Sequence, residues 1–190
     1  EYKYYKNISY KENHTSTLKK YYKSGGAFFM KMKKYKRKDS VKYAKKWAYL
    51  RNPKYYNYDA IGGDCTNFVS QCIYEGCKVM NYDKINGWYY KKANDKSPSW
   101  TGVEFLYKFL INNKGIGPFA KKCNIEDVEI GDIIQLSFDG IKFSHTLFIV
   151  EKIDNNIYVA THTFDSYGRN LNTYSYKDIR YTKIEGYRIW

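Results

Sequence analysis

In the stretch GGDCTNFVSQC, residues 62–72, a cysteine follows two glycines and an aspartate and stands at the head of a run with helical apolar spacing. A thiol at Cys65 would meet the unpaired N–H groups and the positive end of the helix dipole, and both favour thiolate over thiol. A lowered thiol pKa and a reactive sulfur are expected. The backbone N–H of Cys65 could also donate to the oxyanion that forms when the sulfur attacks a carbonyl, so one position offers a nucleophile and part of an oxyanion hole. Gly62 and Gly63 suit a backbone that turns sharply and admits a substrate closely. Without those features Cys65 reads as a small core residue.

A thiol nucleophile needs a base, and the chain has three histidines. His14 sits among polar residues in a basic segment and reads as solvated. Alternation in FSHTLFIV places Phe143, His145, Leu147 and Ile149 on one face, so His145 puts an imidazole into an apolar stripe. Taken alone it would be a satisfied core histidine; beside Cys65 it becomes the candidate base. A third group could orient it from the next strand. If the hairpin loop is Asp154-Asn155, residue 145 pairs with 164 and His162 is diagonal to His145; if it is Ile153-Asp154, the two histidines are opposite. Both registers make His162 the candidate orienter. A change of parity would turn His162 away and bring Thr163 or Asp165 onto that face.

These residues need elements to hold them. DSVKYAKKWAYLRNP reads as a helix with Asp39 and Ser40 as caps, ending before Pro53. Phe68, Val69, Cys72 and Ile73 give a central buried helix after Cys65, with Gly76 placed to end it. Thr101 and Glu104 have capping-box spacing ahead of a third helix with Val103, Leu106, Tyr107 and Leu110 on its apolar stripe. From IGDIIQLSF the period becomes two: Ile134, Leu136 and Phe138 alternate, Asp139-Gly140 turns, and two more alternating runs follow. The expected fold is α+β, with helices packed on a C-terminal antiparallel sheet.

The chain has 190 residues, enough for one well-buried domain. Residues 1–38, dense in Lys and Tyr, read as a basic arm, and 39–190 as the domain. No window approaches the roughly 18 consecutive apolar residues of a membrane helix. No signal peptide is visible, although a chain opening on Glu1 leaves a leader or longer parent open. The net charge of +14 should attract polyanions such as nucleic acid, anionic lipid or wall polymer. Lys, Tyr, Asn and Ile all have A/T-rich codons, which weakens a nucleic-acid reading. Cys72 reads as core and Cys77 as helix-end packing; with Cys123 they give no readable disulfide pairing.

GGDCTNFVSQC, Trp88 and Trp100, IGDIIQLS, SHTLFIV and THTFDS together resemble the bacterial putative amidase domain family, a branch of the papain-like cysteine hydrolases related to cell-wall endopeptidases and CHAP amidases. The resemblance runs from about residue 39 to the C-terminus. It implies a papain-like α+β fold, Cys65 as nucleophile, His145 as general base and a polar third residue at His162, with Asp165 as the alternative. It also implies amide hydrolysis, with peptidoglycan stem peptides as substrate class and no cofactor; localisation stays open, with an extracellular or wall-associated setting favoured. His145 would hold Cys65 as a thiolate and later protonate the leaving amine. Asp64 and Asn67 read as locally bonded residues, and Trp88 and Trp100 as either core or groove lining. Two other readings use the same residues: zinc held by Cys65, His145 and His162 with Cys72 or Asp165, although no C-x-x-C pair is present, or a non-catalytic basic module for wall polymer or nucleic acid.

Overall fold

The computed structural model describes residues 18–23 and 26–190 of the chain, with side chains from Phe29 onward. His14, expected to be solvated, lies outside the described residues. The fold is α+β: a mostly antiparallel sheet with a few helices against one face.

The chain opens with a hairpin of β1 (Leu18–Lys23) and β2 (Gly26–Lys33), so part of the segment expected as an arm enters the sheet. α1 (Arg37–Trp47) follows, then a long loop and α2 (Cys65–Cys77). A small hairpin, β3 (Tyr90–Lys92) and β4 (Asp95–Lys96), leads to α3 (Pro98–Thr101), α4 (Val103–Asn112) and β5 (Gly117–Cys123). β6 (Ile133–Ser137), β7 (His145–Ile153), β8 (Asn156–Thr161) and β9 (Ser166–Asn170) form the expected meander. β10 (Asp178–Ile189) returns to pair with β6, β2 and β5, giving the order β1-β2-β10-β6-β7-β8-β9 with β5 also on β10. All these pairings are antiparallel.

The two faces carry different cores. Phe148, Val150 and Ala160 face α2 and join Phe68, Val69, Cys72, Ile73, Trp88 and Trp100. Ile134, Leu136, Leu147, Ile149 and Val159 form a second cluster on the other face, under Leu171 and Tyr174.

Local expectations need four corrections. α1 begins at Arg37, which places Asp39 in its first turn and buries Ser40 within it. Arg37 fixes that start by donating to Asp132 Oδ1 (2.6 Å), Ile130 O and Ile184 O, long-range bonds that outweigh a local cap. Thr101 and Glu104 do not form a capping box, because Thr101 ends α3, Gly102 is the N-cap of α4, and Glu104 pairs with Arg180. Phe138 lies beyond β6 and is half exposed, since Asp139 turns the chain by accepting from the N–H groups of Ile141 and Lys142. Gly76 stays inside α2, and Lys78, in the left-handed conformation, ends it.

Gly76 serves close packing instead. A Cβ there would lie 2.2 Å from Ser40 Oγ and 2.3 Å from Tyr35 Cε2. Gly76→Ala should therefore separate α1 from α2 and destabilise the fold by about 1–3 kcal/mol, the usual cost of overpacking. Urea unfolding monitored by tryptophan fluorescence checks this, with an unchanged midpoint as the contrary result.

Candidate active site

The site forms where β7 and β8 part. Ile153 pairs with Asn156, so the hairpin loop is Asp154-Asn155, but a bulge at Val150 follows: Glu151 pairs with Tyr158 while Ile149 pairs with Val159 and Phe148 with Ala160. One extra residue on β7 changes the parity of everything toward its start. His145 stays on the face of Leu147 and Ile149, whereas His162 falls on the opposite face with Ala160.

The structure therefore does not bring the two histidines together. His162 stacks on Phe68 with ring centroids 4.1 Å apart, its Nδ1 lies 2.6 Å from Asp64 Oδ2, and its Nε2 lies 2.9 Å from Trp47 O. Asp165, the alternative third residue, is held by Arg51 through two bonds of 2.9 Å. The residue that reaches His145 is Thr161, whose Oγ1 is a long 3.5 Å from Nε2. That hydroxyl has one proton and faces two carbonyls, His162 O at 2.8 Å and Thr146 O at 3.1 Å. Toward His145 it can act only as acceptor, which places the ring proton on Nε2 and leaves the lone pair on Nδ1.

Cys65 is the first residue of α2 and is 6% exposed. β8 turns away after Thr161, and the backbone N–H of Thr146 on β7 acts on the Cys65 thiol, lowering its pKa. The Thr66 hydroxyl lies 3.8 Å from Sγ, and the Thr66 backbone N–H also lowers the thiol's pKa. The sulfur thus sits one residue from His145 along the strand; no hydrogen bond joins Sγ to the imidazole among the described residues. Ahead of it, Gly62 and Gly63 both adopt positive φ, and a Cβ on Gly63 would press on Thr163 Oγ1 at 3.1 Å. Thr163 Oγ1 accepts from Asp64 N–H, which ties the loop ahead of Cys65 to the turn after β8.

The resting electrostatics differ from the expected ion pair. Burial pushes the Cys65 thiol up, opposed by the donors from Thr146 and Thr66. Burial, followed by the positive charge of Arg169, pushes His145 down to about 4. Arg169 stacks 3.9 Å over Tyr174, whose ring in turn lies 6.4 Å from His145. At neutral pH the site holds a thiol and a neutral imidazole, because desolvation outweighs the helix N-terminus.

Asp64 and Asn67 are more than locally bonded. Asp64 spans 98 positions to reach His162, and Asn67 accepts from Trp100 Nε1 at 2.9 Å. Trp88 and Trp100 are core residues, both fully buried. The zinc reading finds no convergent donor set: His162 and Asp165 are engaged elsewhere and Cys72 lies in the core. No group of three His, Cys, Asp or Glu side chains suited to a metal ion occurs among the described residues. Sequence reading missed Thr161, Thr146 and Asp64; the first two become visible only once the Val150 bulge is known.

The chain matches the family described as Putative amidase domain over residues 34–184, and it belongs to that family. Membership points to an amidase-like hydrolase. Among curated proteins it is similar to the uncharacterized protein YhbB of Bacillus subtilis (strain 168), 33% identical over 148 residues, covering 76% of this chain and 45% of that protein. It is also similar to the uncharacterized protein YjcM of the same organism, 24% identical over 132 residues, covering 65% of this chain and 30% of that protein. The chain thus matches less than half the length of each of these relatives. No solved structure matches the chain. No helix among the described residues is long and apolar enough to cross a membrane.

The depressed His145 sets a stability window. Its folded value, about 4, lies below the ordinary 6.5, so the unfolded chain takes up the proton first. The stability contributed by the neutral ring is complete above pH 6.5 and is lost as pH falls toward 4. Urea titrations should show the unfolding free energy dropping by up to about 3 kcal/mol across that window. In His145→Gln most of that slope should vanish, and an unchanged slope would place the titrating group elsewhere.

Proposed function

We propose that the domain is a cysteine-dependent amidase of the papain-like kind that cleaves amide bonds in peptidoglycan stem peptides, with Cys65 as nucleophile and His145 as general base. The observation that carries this reading is the position of Cys65 at the head of α2, where the next residue, Thr66, is bonded Oγ1 to Oγ1 at 2.9 Å with Thr146, the residue directly after His145. A cysteine that served only packing would have no need of a splayed strand pair or of two positive-φ glycines before it.

From the neutral resting state, Sγ attacks the amide carbonyl carbon as His145 Nδ1 takes the thiol proton. The oxyanion is stabilised by the Cys65 N–H at the positive end of α2. The tetrahedral intermediate collapses, the imidazolium proton passes to the leaving amine, and a thioester remains. His145 then takes a proton from water, whose oxygen attacks the thioester and releases the acid and the thiol. Thr161 holds Nε2–H throughout, the role first expected of His162. Exposed Ile61, Phe138, Ile141 and Phe164 lie on loops at this end of the sheet and offer apolar contacts to an incoming peptide. The net charge of +14 favours capture at an anionic wall, an electrostatic effect that salt weakens.

The test is release of free amine from purified stem peptides, with intact-mass detection of the acyl-enzyme. Cys65→Ala should abolish both signals. Thr161→Val should lower kcat by about 10- to 100-fold with little change in KM, as expected when a base loses its orienting contact. Asp165→Ala should be mild. Amine release that survives Cys65→Ala would overturn the assignment.

A further inference from the structure

His162 has acceptors on both sides. Trp47 offers a carbonyl, which cannot donate, at 2.9 Å from Nε2. Asp64 Oδ2 lies 2.6 Å from Nδ1, and its other oxygen already accepts from Tyr58 N–H (3.0 Å) and Asn67 Nδ2 (2.8 Å). Arg51 Nε, 3.8 Å from Oδ2, adds a positive charge beside the carboxylate. An imidazole between a carboxylate and a carbonyl satisfies both only by donating from both nitrogens. Both ring nitrogens of His162 thus face acceptors, and the carboxylate it meets belongs to the residue immediately before Cys65. The other charges facing the pair are Asp59 and Asp165, both paired with Arg51. Phe68 covers the ring, and both side chains of the pair are 1% exposed.

Asp64 occupies the N-cap of α2, where aspartate ordinarily accepts from the N–H of the second or third helix residue, here Thr66 or Asn67. Here its side chain makes no cap bond. One N–H it could take, that of Thr66, acts instead on the Cys65 thiol and lowers its pKa. We propose that His162 is a positioning residue which, as an imidazolium, draws the Asp64 carboxylate off the first turn of α2 and so leaves the Thr66 N–H to the sulfur of Cys65. Loss of that positive charge would release a carboxylate onto the helix end, remove a donor from the sulfur and place a negative charge beside it. This rests on Cys65 being the reactive thiol of the site, as in the amidase reading, but its test needs no amide substrate.

The measurement is the pH dependence of iodoacetamide alkylation at Cys65, followed by peptide mapping of the full chain. His162→Gln should move the profile to higher pH by about one pH unit or more, which makes alkylation about tenfold slower at a fixed pH on its rising limb. Asp64→Asn combined with His162→Gln removes the carboxylate as well and should return the profile toward wild type. A pair with only a packing role would leave the double variant at least as impaired as the single one, and that result, or an unmoved profile in the single variant, overturns the proposal. Side-chain nitrogen NMR of the wild type, assigned with His145→Gln, gives a readout that does not require a folded His162 variant: both nitrogens of His162 should carry protons at neutral pH, and one bare nitrogen is the contrary result. Wild type that alkylates as described yet hydrolyses no stem peptide would sink the amidase reading and leave His162 in place. Hydrolysis with an unmoved profile would do the reverse.

Discussion

The bulge at Val150 lets β7 spend two residues where β8 spends one, and the end of the sheet depends on that mismatch. Past the bulge every side chain of β8 meets β7 with the opposite parity, so Thr161 rather than His162 shares a face with His145. The same shift turns His162 toward α2, where it can reach Asp64. β8 then leaves the sheet through two residues of positive φ, Thr163 and Phe164. An N–H on β7 loses its strand partner, and in a buried setting it must find another acceptor. The Cys65 thiol, whose pKa the Thr146 N–H lowers, is the group at that place.

Such an arrangement requires α2 to be fixed in rotation and height, and apolar packing alone is too permissive for that. The helix is instead pinned by directional bonds inside the core. Thr66 Oγ1 meets Thr146 Oγ1 at 2.9 Å, and Gln135 Nε2 donates to that second hydroxyl at 3.2 Å. Gln135 accepts from Arg180, which lies between the rings of Tyr107 and Phe143 and pairs with Glu104 on α4. Farther along α2, Asn67 and Ser70 accept the indole N–H groups of Trp100 and Trp88. Each bond contributes only about 1 kcal/mol net, but an unmatched partner in the core costs about 1–3 kcal/mol. The penalty for mismatch selects one placement of the helix.

Much of this could be read from the residues, within clear limits. The span of α2, the helix-then-sheet order and the position of the hairpin loop follow from apolar period and turn residues, which are local signals. The bulge left no such mark, because Val150 is an ordinary apolar strand residue in sequence. The third-group reading therefore failed by a single residue of register. Asp132 shows the same limit in another form. Gly-Asp before a strand is common, yet this carboxylate anchors Arg37 of α1 and accepts the N–H of Ile184 on β10. Partners separated by 52 and 95 positions have no signature in spacing.

The charge arrangement bears on how a neutral resting pair could react. Desolvation keeps Cys65 as a thiol and His145 as a neutral ring, and Arg169 adds to the resistance against an imidazolium. On the proposed mechanism, proton transfer before a substrate is bound would create two buried charges in a site that disfavours both. With an amide carbonyl in place, the negative charge need not remain on sulfur but passes to an oxygen at the end of α2, where the first-turn N–H groups have no side-chain cap. The energy that opposes ionisation of the free site is then offset only when an acyl group is present to receive the charge. A carboxylate capping that turn would remove this advantage, since it would occupy the donors and repel the oxyanion. Asp64 is the residue placed to do so, and its bond to His162 turns it the other way.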